Sequence, residues 1–194
     1  MSIKGVASIV GIYEHPLRRA PDKSTPQLHY ECAQGALADA GLTFDDVDGY
    51  FCAGDAGWFM SIVDYMGLRN LTYFDATDIG GSSYIAHLND AATAIAMGRC
   101  KVALVTLAGR PRSEKPAPRP KGPEAGWEMP YGGSPPNIYA LAAQRHMYEF
   151  GTTSEQLAWI KVAASHHAQY NEHAMLRDVV TVEEVLESPM IADP

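Results

Sequence analysis

The sequence predicts an α/β domain built on a mixed, mostly parallel sheet with a buried central helix. Apolar runs at residues 3–13, 47–53 and 101–108 have the length and the branched side chains of buried strands. A glycine-serine turn and a helical pattern over 82–97 separate a short strand at 71–75 from the last of these runs. Strand, helix and strand in that order are typical of a parallel crossover connection.

Composition places the chain among globular proteins and narrows its partners. Of the 194 residues, 46% are hydrophobic and 20% are charged, which is close to the average for soluble domains. The net charge of −8 argues against nucleic acid as the main partner. We also predict no membrane span, because no apolar run approaches the ~20 residues that a spanning helix needs. Residues 1–11 do not have the pattern of a signal peptide.

The cysteines predict a reducing compartment. Cys32, Cys52 and Cys100 are far apart in the sequence and form no CxxC pair. Such a sparse, odd set is typical of reduced thiols in a core or a turn, so we expect a cytoplasmic protein. The adjacent histidines at 166 and 167 point about 100° apart on a helix, and we predict no metal site.

Capping residues set the limits of the first helix. Residues 26–40 have a helical pattern, and either Ser24 or Thr25 can cap it. Gly41 is a typical C-terminal stop. A shorter helix is expected at 61–67.

The helix at 82–97 carries the strongest pattern in the chain. It ends at Gly98, and alanine and isoleucine occur nearly all around it, so we expect most of its surface to be buried. The apolar face that repeats at helical spacing consists of Ile85, Leu88, Ala92, Ile95 and Ala96.

The composition changes at Arg110. The segment 110–136 is rich in proline and predicts either a linker or a loop that covers a ligand. The aromatic Trp127 favours the loop. Beyond it, helical patterns with capping residues predict helices at 136–150, 154–169 and 181–187.

Several segments resemble the thiolase superfamily, most closely its sterol carrier protein x and lipid-transfer-protein branch. They are VASIVGIYEHP, ALADAGLTFDDVDGYFCAGD, GGSSYIAHLNDAATAIAMGRCKVALV and, more specifically, GTTSEQLA and SPMIADP. The resemblance implies a thiolase-like N-terminal domain core over 1–109 and an inserted loop region with helices over 110–188. It also implies that 189–194 begin a return to the core, with the last strand and a second repeat outside this sequence.

The family's nucleophilic cysteine has no counterpart here. A thiolase carries that cysteine at the start of the central helix, where the helix N-terminus lowers a thiol pKa and stabilises an oxyanion. In this sequence Gly80, Gly81, Ser82 and Ser83 occupy the turn.

Two roles remain open for the turn. Ser82 or Ser83 can replace the cysteine if a base lies nearby, and Asp78 and His87 are the nearest candidates in the sequence. Alternatively the serines cap the helix, and the two glycines let a thioester bind to backbone N–H groups without covalent chemistry.

The resemblance implies an acyl-CoA-processing protein, and three functions are compatible with it. The first is retro-aldol or related C–C bond chemistry on a lipid or steroid side-chain acyl-CoA, which needs a base and enolate stabilisation but no nucleophile. The second is a non-catalytic acyl-CoA-binding or lipid-transfer subunit. The third is acyl transfer of the acetyl-CoA acetyltransferase type through a serine. The CoA thioester is the substrate, and no other cofactor is expected.

The resemblance also implies partners and further site residues. Tyr131 and Tyr139 flank the turn where the family's loop region approaches the active site, so they either line the pocket or pack the loop. A homodimer through the strand at 71–75 and a small acyl-CoA-binding partner subunit are expected, with the catalytic base supplied by the second half of the fold.

Overall fold

The computed structural model describes residues 3–53, 56–113, 127 and 135–192. The chain divides into two compact units, Met1–Pro116 and Ala117–Pro194. The first unit contains the helices α1 (Thr25–Ala40), α2 (Ala56–Met66) and α3 (Ser83–Ala96) and the strands β1 (Gly49–Phe51), β2 (Tyr73–Asp75) and β3 (Ala103–Val105). The second contains α4 (Pro135–Phe150), α5 (Ser154–Ala168) and α6 (Val182–Leu186).

The three strands form a parallel sheet in the order β2-β1-β3. Gly49 of β1 is in register with Tyr73 on one side and Ala103 on the other. Just before β1, the Asp48 carboxylate accepts hydrogen bonds from the backbone N–H groups of Lys101 and Val102, each at 2.8 Å. The crossover that the sequence predicts is confirmed, although each strand is shorter than its apolar run.

Helices cover both faces of this sheet, because successive side chains of β1 point to opposite sides. Tyr50 packs on the side of α1 and α2, in a cluster that includes Leu37, Val47, Ile62 and Met66. Phe51 packs on the other side against Ala91 and Ala94 of α3. The unit is therefore a three-layer structure, and the predicted α/β fold class is confirmed.

Residues 3–13 do not form the predicted first strand. Ile9 and Ile12 are 69% and 73% exposed. The segment lies along α1, where the Ile12 amide donates to Asp39 Oδ2 at 2.9 Å and a Cβ on Gly11 would clash with the Ala36 carbonyl. The prediction is wrong here because apolar side chains do not make a strand unless a neighbouring strand pairs with it.

α3 is buried on one side and not over most of its surface. The residues that face the core are Ser83, His87, Ala91 and Ala94. The face that the sequence predicts as buried is the other one, where Ile85 is 72% and Leu88 40% exposed. The prediction fails because the helix has two apolar faces, and only one of them meets the sheet in the described residues.

Helix limits follow the capping signals. The Ser24 side chain accepts a hydrogen bond from the Gln27 N–H, so Ser24 and not Thr25 caps α1. Gly41 follows with φ +69°. Capping boxes at Thr153 and Thr181 begin α5 and α6 as predicted. α2 begins at Ala56, earlier than the expected helix at 61–67.

The second unit has a small core. Ala158, Val162 and Ser165 of α5 are buried, and the Val180 amide donates to Ser165 Oγ at 3.1 Å, which ties the segment before α6 to α5. None of the described residues of α4 is buried. No helix among the described residues is long and apolar enough to cross a membrane. The boundaries at 109 and 188 stay predictions.

Candidate functional site

The turn that precedes α3 lies at the carboxyl end of the parallel sheet. β2 ends at Asp75, and the chain then reaches a 3-10 turn at Gly80–Ser82 that leads directly into α3. Ligand sites of parallel α/β sheets form at this end. The N-terminus of a helix presents backbone N–H groups and a partial positive charge there.

The hydroxyl of Ser83 is used inside the turn. Ser83 is fully buried. Its Oγ accepts a hydrogen bond from the Ile79 N–H at 2.9 Å and donates to the Gly80 carbonyl at 2.6 Å. Asp78 Oδ1 lies 3.3 Å from the same oxygen. Since a nucleophile must reach its substrate, this arrangement favours a structural role for Ser83 within the turn.

The outer side of the turn is open. Gly80 has φ +79°, a conformation that favours glycine, and its amide donates to Asp78 Oδ1 at 2.8 Å. A Cβ built on Gly80 or Gly81 meets no atom within 4 Å. Ser82 is exposed, and its side chain makes no capping hydrogen bond. A ligand that approaches the turn from this side therefore meets the backbone and the exposed hydroxyl group of Ser82.

His87 lies beneath this turn and is fully buried. Its Nε2–H donates to the Thr77 carbonyl at 2.9 Å. Nδ1 of the ring has no hydrogen-bond partner among the described residues. The ring stands edge-on to Tyr84, with ring centres 5.8 Å apart. Because Ser83 bonds to the turn backbone, these residues do not form the serine–histidine pair that the sequence left open.

A buried polar network lies at the same end of the sheet. Thr106, directly after β3, places its Oγ1 at 2.7 Å from Nδ1 of His29 and at 2.8 Å from the Tyr50 hydroxyl. Burial lowers the pKa of His29 to about 4, so its ring is neutral at neutral pH. The sequence analysis missed this network. The available signal was a tyrosine inside a buried strand, whose hydroxyl needs a hydrogen-bond partner.

Burial disfavours the nucleophilic thiolate form of all three cysteines. Cys52 lies directly after β1, and its thiol interacts with Tyr50 and Thr106 of the polar network. Burial raises the pKa of this thiol. Burial also raises the pKa of Cys32, within α1, and of Cys100, just before β3. A thiol whose pKa is raised stays protonated and is a weak nucleophile.

The described structure does not test the two predicted site tyrosines. Tyr131 lies outside the described residues. Tyr139 lies on α4 in the second unit and is 75% exposed. Their role in lining a pocket stays a prediction. Among the described residues no group of three or more metal-ligating side chains lies close enough together to hold an ion.

Curated relatives match nearly the whole chain. An acetyl-CoA acetyltransferase from Methanothermobacter thermautotrophicus is 30% identical over 96% of this chain and 51% of its own length. A steroid side-chain-cleaving aldolase from Thermomonospora curvata is 29% identical over 99% of this chain and 52% of its own length. The chain thus spans about half the length of the curated relatives it matches. No family model matches the chain.

Solved structures give the same result. The Ltp2-ChsH2(DUF35) aldolase superposes with a TM-score of 0.79 at 28% identity, over 96% of this chain and 50% of that one. A monomeric SCP2-thiolase-like protein type 1 from Mycobacterium smegmatis superposes with a TM-score of 0.68 at 19% identity, over 93% and 39% of the two chains. These likenesses confirm the thiolase-like fold and the predicted resemblance.

Proposed function

We propose that this thiolase-like chain forms half of an acyl-CoA-processing active site that cleaves a C–C bond by a retro-aldol reaction. The substrate class is a β-hydroxyacyl-CoA that carries a lipid or steroid side chain. The proposal rests on the open turn at the start of α3 and on the aldolases among the chain's relatives and structural neighbours.

The open turn is the observation that carries the proposal. In a retro-aldol reaction a base removes the β-hydroxyl proton, the Cα–Cβ bond breaks and its electron pair forms a thioester enolate. The enolate is then protonated at Cα, which releases a shortened acyl-CoA and a carbonyl compound. Negative charge develops on the thioester oxygen, so the reaction needs hydrogen-bond donors at that point and no covalent intermediate.

The α3 turn has the features that this reaction requires. The backbone of Gly81 is accessible, because a Cβ on this residue meets no atom within 4 Å. The Gly80 amide, by contrast, already donates to Asp78. The helix N-terminus favours the enolate oxygen electrostatically. Ser83 is fully buried and the cysteine pKa values are raised, which leaves the described residues without an activated nucleophile there. The base is supplied by a part of the enzyme outside the described residues.

The proposed assembly has two further parts. A second copy of the chain docks at β2, which is an outer strand of the described sheet and whose Phe74 is 53% exposed. A small acyl-CoA-binding subunit completes the enzyme, by analogy with the two-component name of the Ltp2-ChsH2 aldolase. Three cysteines without disulfides agree with a cytoplasmic location, which stays a prediction.

A substrate assay tests the proposal. The purified protein, with its co-purifying subunits, is incubated with a steroid β-hydroxyacyl-CoA, and the products are identified by mass spectrometry. We expect a shortened acyl-CoA and a steroid ketone or aldehyde in equal amounts. Recovery of intact substrate, or of free CoA from simple hydrolysis, would contradict the proposal.

Acyl transfer is the second candidate, and the exposure of Ser82 favours it. An acetyl-CoA acetyltransferase is among the relatives at 30% identity. This reaction requires an acyl-serine intermediate, which acid quenching and peptide mass spectrometry would detect at Ser82. The retro-aldol proposal expects no such adduct.

A further inference from the structure

His87 is a polar side chain on the face of α3 that packs on the sheet. It is fully buried, and the centre of its ring lies 6.3 Å from that of Phe51. Its Nδ1 has no hydrogen-bond partner among the described residues, and a buried polar atom without a partner lowers stability. An apolar side chain would fill this place without that loss, so packing alone does not explain a histidine here.

The hydrogen bond that the ring makes goes to the backbone of the turn. Nε2–H donates to the Thr77 carbonyl at 2.9 Å. Thr77 lies between the end of β2 and the 3-10 turn that leads into α3. His87 therefore fixes one peptide group in the segment that carries the proposed thioester site.

This hydrogen bond also sets the direction of the next amide. The described residues contain no cis peptide bond, and in a trans peptide the C=O and N–H groups point in opposite directions. Since the Thr77 carbonyl points to the buried ring of His87, the N–H of Asp78 points away from it. Asp78 is exposed, and its amide forms no hydrogen bond to another described residue.

Ser83 has the same effect on a second peptide group. Its buried hydroxyl donates to the Gly80 carbonyl at 2.6 Å, so the N–H of Gly81 points away from that hydroxyl. The Asp78 carboxylate is directed toward Ser83 as well, since Oδ1 accepts from the Gly80 N–H at 2.8 Å and lies 3.3 Å from Ser83 Oγ. Two buried side chains thus hold carbonyl oxygens inward, and the N–H groups of Asp78 and Gly81 point away from them.

We propose that His87 is a positioning residue that fixes the Asp78 amide as a second hydrogen-bond donor, beside the Gly81 amide, for the oxygen of a bound acyl-CoA thioester. The inference rests on the proposed function and adds to it one donor and the residue that orients it. Donors stabilise developing negative charge best when they are oriented before the reaction. If the peptide between Thr77 and Asp78 turned over, a carbonyl oxygen would take the place of the N–H and repel that charge.

Two substitutions of matched shape separate the hydrogen bond from packing. His87→Gln keeps an N–H donor at about the reach of Nε2, whereas His87→Met has a side chain of similar length without a donor. Both new side chains are good helix formers. Hydrogen exchange is measured without ligand at the amides of Ile79 and Gly80, which are bonded inside the turn. We expect exchange at least tenfold faster in His87→Met than in the wild type, and near the wild-type rate in His87→Gln.

A labelled thioester reports on the donors themselves. The probe is octanoyl-CoA with an isotope label at its carbonyl carbon, which has no β-hydroxyl group and so is not cleaved by a retro-aldol reaction. It is bound to the purified protein with its co-purifying subunits. We expect the carbonyl stretching band of the bound probe at lower frequency than in water, because two oriented amides polarise the C=O bond. His87→Gln should retain this shift, and His87→Met should lose at least half of it.

Two kinds of result would overturn the proposal, and they differ in what else they contradict. Equal exchange in the two variants, or a carbonyl shift that His87→Met retains, would contradict the role of His87 and leave the proposed function standing. A wild type that does not bind the probe, or binds it without a carbonyl shift, would contradict the proposed thioester site and the role of His87 with it.

The wild type supplies a further measurement in case both substitutions at His87 prevent folding. Exchange of the Asp78 amide is followed with and without octanoyl-CoA. We expect the bound probe to slow this exchange at least tenfold, because the amide donates to the thioester oxygen. Unchanged exchange of this amide in a protein that binds the probe would overturn the proposal.

Discussion

The two faces of α3 differ in composition and in surroundings, and the face with the larger apolar side chains is the one that the described sheet does not cover. On one face, His87 and Ala91 are buried against the sheet, where Phe51 is inaccessible to solvent. On the other face, which the described sheet does not cover, Ile85 remains 72% exposed. The apolar pattern of a helix shows which of its faces are hydrophobic. Which of those faces is buried depends on where the neighbouring strands and helices lie, and the pattern does not show this. Each Å² of apolar surface that is buried stabilises the fold by roughly 25 cal/mol. In the described structure, only the face of α3 that packs on the sheet contributes this stabilisation.

The largest expected effect is at the packed face. Phe51→Ala removes a fully buried ring that contacts α3. We expect the free energy of unfolding to fall by about 3–5 kcal/mol, because the substitution loses the buried ring and leaves a cavity. Urea unfolding followed by circular dichroism measures the change. A loss below about 1 kcal/mol would show that the sheet and α3 do not form one packed core.

A pH titration of stability tests the polar network on the α1 side of the sheet. Burial lowers the pKa of His29 from 6.5 to about 4. Below pH 6.5 the unfolded chain binds a proton that the folded chain refuses, so stability is fully present above pH 6.5. It then falls by about 1.4 kcal/mol per pH unit toward pH 4.

The acidic part of that window needs a control. Lys23 and His15 lower the pKa of Glu31 to about 2, so Glu31 adds its own loss of stability below pH 4.5. Between pH 6.5 and 4.5 the slope reports mainly on His29. His29→Gln is expected to be less sloped there than the wild type, and an unchanged slope would assign the effect to another group.

The serine pair gives a smaller effect within a single turn. Ser83→Ala removes the hydroxyl that bonds to Ile79 and Gly80. We expect a loss of about 1–2 kcal/mol, because the substitution leaves the buried backbone groups of Ile79 and Gly80 without this hydrogen-bond partner. Ser82→Ala is the matched control and should change stability by less than about 0.5 kcal/mol, because Ser82 is exposed. Equal losses in thermal unfolding would contradict the distinction.

The smallest effect is expected at the exposed face of α3. Ile85→Ala should change the unfolding free energy of the chain alone by less than about 0.5 kcal/mol, because the side chain is largely in solvent. A cost above about 2 kcal/mol in the chain alone would mean that Ile85 is already buried.

The sequence predicted what depends on local chemistry. The cap at Ser24, the stop at Gly41 and the crossover through α3 follow from side-chain hydrogen bonds and backbone freedom that act within a few residues. The strand predicted at residues 3–13 and the buried face predicted for α3 were wrong. Both properties depend on which strands pair in the sheet, and this is not a local feature of the sequence. The sequence indicated Ser83 as a candidate catalytic residue but did not predict its burial. That burial depends on how the turn folds back toward Ile79.

The network around Thr106 shows another limit of sequence reasoning. His29 and Thr106 are 77 residues apart along the chain, and neither lies in a recognisable motif. Tyr50 alone indicated that a polar partner was needed in the core. Which residue supplies it follows from the packing of α1 on the sheet, which the sequence pattern does not specify.

The central claim is that the turn before α3 binds an acyl-CoA thioester through its backbone. Binding of a non-cleavable β-hydroxyacyl-CoA analogue to the wild type and to Gly81→Val, measured by isothermal titration calorimetry, tests it most directly. A Cβ at Gly81 meets no atom within 4 Å and its φ is not positive, so the variant should fold with an unchanged unfolding midpoint. We expect its affinity to fall at least tenfold, because the valine side chain fills the space that the thioester needs. Unchanged affinity in a folded Gly81→Val protein would contradict the claim.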